Sequence, residues 1–239
     1  MSSMELEPQP EALVAPDAVI DELRSAQLEL VLPSDGAAFE QARRVWNADI
    51  DRRPAVIVRC RSSQDVALAI RCCVSYRVDC TVRGGGHNVA GSAVHDGAVL
   101  LDLSQLSAVD LLHNGDRVIV GGGATWAAVD AATAAVSRAV PAGLISHTGV
   151  GGLTLGGGVG WLSRHAGLTC DSLVSAEVVT ASGDVLTASE DQHSDLFWAL
   201  HGGGGNFGVV TQFVFRTTAV SAVRVRQYLL RHKSMHSYQ

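Results

Sequence analysis

The sequence predicts an α+β fold, and three observations carry that prediction. Segments with strand and helix patterning alternate irregularly, with hairpins mixed among crossovers, unlike the strict repeat of a doubly wound parallel sheet. Apolar residues make up 47% and charged residues 18% of 239 residues, enough for one large core or two small ones. Four glycine clusters each fall at the end of a strand segment, where the chain turns tightly or approaches something closely.

The elements follow in order. The opening "MSSMELEPQPEALVAPDAV" is acidic and proline-bearing, with no basic or apolar stretch of a secretory signal, so residues 1–38 read as a solvated tail. "FEQARRVWN", Phe39 to Asn47, has helical spacing and opens the domain, which extends to residue 222. "AVIVRC" (55–60) reads as a buried strand. Ser62 and Asp65 have capping-box spacing at the start of a helix over "DVALAIRCCVSYR". "DCTVRGGGHN" is a short strand entering the first glycine loop, and "GAVLLDLSQL" is another strand. "DRVIVGGGATWAAVDAATAAVSRAV" reads as strand, glycine turn, Thr125 cap and alanine-rich helix. Ala139 to Ser163 has membrane length without a charge, but its eight glycines and one proline make it buried loop and turn. "LVSAEVVTASGDVLTAS" gives two strands around a Ser-Gly turn, "DLFWAL" a short helix, and "GGGGNFGVVTQFVFRTT" a last glycine loop entering a strand. Residues 223–239 read as a divergent C-terminal tail.

Several functions are excluded by what is missing. Net charge is −6 and Lys233 is the only lysine, so no basic stripe supports a nucleic-acid partner, and no segment suits a membrane. Five cysteines without a CxxC pair read as reduced thiols of a cytoplasmic protein, and nine histidines show no metal-ligand spacing, so no metal site is expected. No Gly-Lys dipeptide exists for a Walker A loop. The single GxGxxG, at Gly203, Gly205 and Gly208, runs into "VVTQFVF", which is strand rather than the helix a Rossmann site requires. No GxSxG occurs, and Asp102, Asp110, Asp171 and Asp184 read as turn, cap or surface groups. Successive glycine amides can still hold a diphosphate without a helix, which leaves large dinucleotides such as FAD. Each cluster taken alone, Gly121–Gly123 for instance, also fits a plain tight turn.

Three collinear stretches then carry a specific likeness: "RGGGHNVAGSAVHDGAVLLDLSQL", "PAGLISHTGVGGLTLGGGVGWLSRHAGLTCDSLVSAEVVTASGDV" and "DLFWALHGGGGNFGVVTQFVFR". From about Asn47 to Val220 the chain resembles the FAD-linked oxidases with a PCMH-type, vanillyl-alcohol-oxidase-like FAD-binding domain, nearest the berberine-bridge-enzyme-like bacterial members. The resemblance implies two α+β subdomains with FAD between them. It places Arg83, Gly84, Gly85, Gly86, His87, Asn88, Gly91 and Ser92 in a loop around the diphosphate. His87 matches the histidine linked covalently to the flavin 8α-methyl carbon, a role a neutral imidazole suits; a loop hydrogen-bonder is the plainer alternative. Arg83 either shapes the loop or offsets diphosphate charge. Thr148, Gly151, Gly152, Thr154, Gly157, Gly158 and Gly160 match the second FAD loop. Trp161 borders the flavin or fills the core, and Asp171 caps its turn or lies near the flavin. The segment ending at Val210 matches backbone lying against adenine.

The resemblance also has departures. Ile145 stands where some relatives attach FAD a second time through cysteine, so one histidyl link is expected. His201 replaces an arginine in "LHGGGG". "VRVRQYLLRHKSMHSYQ" does not resemble the family's continuation into a substrate domain, so that domain, with its catalytic base, is expected to be absent, as in a truncated product. The implied function is an FAD-dependent oxidoreductase that oxidises a small-molecule substrate such as an alcohol or sugar, with molecular oxygen as acceptor. The alternatives are a flavin-binding domain without turnover and a nicotinamide-dependent reductase of the same broad fold, against which the histidine loop argues.

Overall fold

An apolar run buried on two faces demands cover on both sides, and the first half of the chain supplies it. The structure is a computed structural model and describes residues 17–220. In chain order the first elements are α1 (Asp17–Ser25), β1 (Glu29–Val31), α2 (Ala37–Ala42), β2 (Val56–Arg59), α3 (Ser63–Tyr76), β3 (Cys80–Arg83) and β4 (Val99–Asp102). The strands form a sheet in the order β1-β2-β4-β3, with β2, β4 and β3 parallel and β1 antiparallel at the edge. Side chains alternate across the pleat. Val56, Val58, Val99 and Leu101 enter a core with α1 and α3, while Ile57 and Leu100 enter a second one with Phe39 and Val94.

The second half is antiparallel. It contains β5 (Val109–Leu112), β6 (Arg117–Gly121), α4 (Trp126–Ala134), β7 (Arg138–Ala139), α5 (Val150–Leu155), α6 (Ser163–Ala166), β8 (Leu173–Val179), β9 (Val185–Ser189), α7 (Ser194–Ala199), β10 (Val209–Arg216) and β11 (Thr218–Ala219). Five strands pair in the order β5-β6-β10-β8-β9, and β7 pairs with β11. Trp126, Phe213, Phe215, Phe197 and Leu200 dominate the core beneath this sheet. The α+β class is therefore as expected, in two halves, each with its own sheet.

Four local expectations need correction, and one strand was not legible. The tail expected over residues 1–38 gives way to α1 and β1 from Asp17 on, because Val19 and Leu23, four apart on one helix face, are buried against α3. The helix expected over Phe39–Asn47 stops at Ala42, because the chain beyond is committed elsewhere: the Ala42 and Arg44 carbonyls accept from Arg83, and Trp46 N–H donates to the Gly86 carbonyl. The run from Ala139 to Ser163 is not all loop, since Val150–Leu155 closes a short helix with Val150 and Leu155 in the core. β5 carries no alternation strong enough to read from sequence, yet it pairs along β6. Only two glycine clusters end a strand, after β3 and β6; the others flank α5 and follow α7. The tail expected at 223–239 lies outside the described residues.

Ser62 does cap α3, its hydroxyl accepting from Asp65 N–H at 3.1 Å, while the Asp65 carboxylate accepts from Arg61 N–H at 2.8 Å. Ser62→Ala is expected to lower stability by about 1 kcal/mol in urea titrations. Thr125 sits at the start of α4 without a side-chain cap bond.

Candidate functional site

β3 delivers the first glycine loop. Its last residue, Arg83, lies opposite Asp102 in the parallel register, and the two side chains pair at 2.7 Å with little exposure, 12% and 4%. The same guanidinium donates to the Ala42 and Arg44 carbonyls. Arg83 thus spends its charge inside the fold and shapes the loop; its guanidinium is not free to offset a diphosphate. The loop then folds on itself. Gly86 and Gly91 adopt left-handed φ values of 68° and 73°, Gly91 N–H donates to the Asn88 carbonyl, and Asn88 Oδ1 accepts from the Ser92 amide and hydroxyl.

Within this loop His87 is held on two sides. Trp46 stacks on it with centroids 5.3 Å apart and planes inclined by 21°. His147 meets its edge, Nδ1 lying 2.8 Å from His87 Nε2. Burial, and secondarily the charge of His147, push the His87 pKa below the ordinary histidine value. The folded ring therefore binds a proton less readily than the unfolded one. Its contribution to stability is full above the ordinary histidine pKa and is lost as pH falls from there through the lowered pKa of the folded ring.

Three glycine segments interlock around this histidine. A Cβ on Gly85 would lie 2.3 Å from the Gly149 amide nitrogen, one on Gly84 3.3 Å from the Gly122 carbonyl, and one on Gly122 2.2 Å from the Val210 carbonyl. Gly85 and Gly122 admit no Cβ because backbone packs on backbone, whereas Gly84 would be only a tight fit. Gly151 is buried with a tight fit of 3.2 Å between a Cβ and the Gly122 carbonyl, and Gly160 lies so close to the Ala142 carbonyl that no Cβ fits. Gly152, Gly202 and Gly205 are different: their missing side chains would point into open space.

The remaining expected residues divide in the same way. Thr154 is fully buried and its hydroxyl donates to the Val150 carbonyl at 2.8 Å, so it serves the helix and core rather than a ligand. The Thr148 carbonyl accepts from Trp126 N–H, joining the second loop to α4. Gly157 and Gly158, at φ 100° and 78°, accept from the Cys170 and Thr169 amides. Asp171 caps its turn, Oδ2 accepting from Leu168 N–H at 2.8 Å. Trp161 is 74% exposed, which removes its reading as a core residue. Val210 is buried in β10. His201 receives no ligand-facing role, since its Nδ1 engages the Phe197 carbonyl at 2.7 Å.

Sequence reasoning missed Trp46 and His147 as partners of His87, and Thr169, whose buried hydroxyl lacks a partner beside Gly158. No periodicity announces a contact 60 residues apart. The five cysteines are free, and burial pushes the Cys60 thiol up to about 12, which leaves it inert. Among the described residues no His, Cys, Asp and Glu group could hold a metal, and no helix is long and apolar enough to cross a membrane. A cleft of about 490 Å³ lined by His113, Arg117, Arg138 and Arg216 lies at the opposite end of β6 and β10 from the glycines.

The residues around His87 fit a large, partly apolar, anionic cofactor. Glycines facing open space allow close approach, and the unpartnered buried Thr169 hydroxyl lies beside Gly158 in the second loop. Packing of Gly160 on Ala142 and Gly143 sets the exposed Leu144 and Ile145 segment beside exposed Val159 and Trp161, a surface suited to an aromatic ring.

A family model described as an FAD binding domain matches residues 54–189. The chain belongs to that family. Its relatives include (R)-6-hydroxynicotine oxidase of Paenarthrobacter nicotinovorans, 38% identical over 79% of this chain and 41% of the relative. Among solved structures, glucooligosaccharide oxidase from Acremonium strictum, titled for its 6-S-cysteinyl, 8α-N1-histidyl FAD, superposes with TM-score 0.79 at 33% identity, over 83% of this chain and 42% of that one. The berberine-bridge-enzyme-like protein 1 of Physcomitrella patens gives 0.81 at 29%, over 85% and 45%. This FAD-binding domain protein spans about two fifths of the length of the curated relatives it matches.

Proposed function

We propose that the protein is an FAD-dependent oxidoreductase whose flavin is attached covalently through His87 and which oxidises a small organic substrate such as an alcohol or sugar. One observation carries this reading: a largely neutral histidine sits where two glycine loops interlock, Gly85 packing on Gly149 and His87 meeting His147 at 2.8 Å. The names of relatives that are oxidases of a hydroxynicotine and of oligosaccharides support the substrate class. Bound there, FAD would take up a hydride from substrate and deliver the electrons to molecular oxygen.

The chain's own residues do the holding. Gly84, Gly85 and Gly86 present backbone amides at close approach, and Gly152, Gly157 and Gly158 line the second wall. Asn88 and Ser92 keep the first loop closed through their shared hydrogen bonds. Trp161 offers an apolar face, and Ile145, standing where some relatives carry a second attachment point, leaves His87 as the single anchor.

The test is acid precipitation of the purified protein. Wild type is expected to stay yellow and fluorescent in the pellet, and His87→Ala to release all of its flavin. Free flavin from wild type, or acid-stable flavin in His87→Ala, sinks the histidyl assignment. Oxygen consumption with a panel of alcohols and sugars then reports turnover.

A further inference from the structure

The contact between the two histidines is a consequence of the glycine contact beneath it. Gly85 and Gly149 pack backbone to backbone, and His87 and His147 each stand two residues from that point, on either side. The His147 segment is pinned independently: the Ser146 carbonyl accepts from Ala127 N–H at 2.7 Å, the Thr148 carbonyl from Trp126 N–H at 3.0 Å, and Thr148 N–H closes its turn on Ile145. Two separately anchored loops thus meet with imidazole nitrogens 2.8 Å apart. Trp46 fixes the plane of the His87 ring from the other side. His147 is the titratable group whose charge acts on His87 among the described residues.

A neutral imidazole has one N–H and one lone pair, and its partner decides which nitrogen carries which. We propose that His147 is the positioning residue for flavin attachment: its Nδ1 accepts a hydrogen bond from His87 Nε2–H, which leaves the lone pair on His87 Nδ1 for the flavin methyl carbon. This rests on the covalent reading above. In the attachment one methyl C–H and the His87 N–H are replaced by a single C–N bond. The lone pair of His87 Nδ1 forms that bond, the Nε2 proton passes to His147 Nδ1, and two electrons with two protons leave to dioxygen as hydrogen peroxide. Burial keeps His87 neutral, so the lone pair is available at neutral pH.

The experiment uses the full chain produced in a riboflavin-starved auxotroph, so that it carries no flavin, with FAD then added and acid-stable fluorescence followed over time and pH. His147→Ala is expected to slow covalent incorporation on the order of a hundredfold while total bound flavin stays unchanged. Added imidazole, or His147→Gln with its accepting carboxamide, should restore part of the rate. The wild-type rate should fall only below the ordinary histidine pKa, because protonation of His87 removes the lone pair that forms the bond. A wild-type rate in His147→Ala overturns the proposal, as does a slow variant that simply binds less flavin.

Nitrogen NMR of histidine-labelled protein without flavin reads the tautomer directly. Wild type should show His87 protonated at Nε2 and His147→Ala a mixture, whereas His87 protonated at Nδ1 in wild type overturns the proposal. Failure of the covalent reading itself has another signature: wild type then holds no acid-stable flavin at all, while the tautomer measurement still decides the role of His147.

Discussion

Gly152→Ala should melt at a higher temperature than wild type when flavin-free, and should bind less flavin. The residue lies within α5 with an ordinary helical backbone, and a Cβ there would meet nothing within 4 Å. Alanine in place of glycine in a helix gains roughly 0.5–1 kcal/mol, about 2 °C for a chain of this size. The same methyl occupies the open space that the proposed cofactor needs. Gly85→Ala should do the reverse and unfold the domain, because its Cβ would lie 2.3 Å from the Gly149 amide and neither partner is a side chain that can swing away. A loss of about 3 kcal/mol or more in urea titrations is expected. The pair separates glycines kept for packing from those kept for a ligand. Full flavin content in Gly152→Ala would remove that residue from the cofactor wall.

That distinction is the part of the site the sequence does not disclose. "RGGGHN" and "GVGGLTLGGGVG" look alike in composition, yet Gly85, Gly122 and Gly160 face backbone while Gly152 and Gly205 face open space. Which glycine does which depends on contacts between segments far apart in the chain. The strands at 56–59, 80–83, 173–179 and 185–189 were legible because burial or alternation is written in a few consecutive residues. The helix at α3 was legible for the same reason, with Ser62 and Asp65 marking its start. By contrast β1 and β5 exist only because a neighbouring strand is there to pair with them. α2 is cut short for the converse reason, since the residues that would extend it give their backbone groups to Arg83 and Gly86. His87 stood out beside its glycines as a residue type foreign to a phosphate loop. His147 did not, because a histidine in a glycine-rich run acquires meaning only when the other loop arrives beside it.

Asp102→Asn should destabilise the protein by about 3–5 kcal/mol although it changes hardly any volume, because it leaves the Arg83 guanidinium buried without its counter-charge. Surface pairs such as Arg24 with Asp21, each more than half exposed, should by contrast contribute a few tenths of a kcal/mol, within about 1 kcal/mol at most. The buried pair does more than stabilise. Arg83 is the last residue of β3 and ties three things together: the Asp102 end of β4, the carbonyls that end α2, and the start of the glycine loop. Asp102 in turn accepts from Ser104 N–H at 3.1 Å, holding the exit of β4. Losing the pair should therefore release the loop that carries His87, so flavin content should fall together with stability. Replacing both partners by apolar residues of similar size, Arg83→Met with Asp102→Leu, should cost less than the two single changes summed, since no uncompensated charge remains. The double variant also separates two roles. If it regains stability but not flavin, the arginine is needed to set the loop's shape, whereas recovery of both would mean that covering this corner of the fold is enough. A loss below 1 kcal/mol in Asp102→Asn would show that the pair is as weakly coupled as one on the surface.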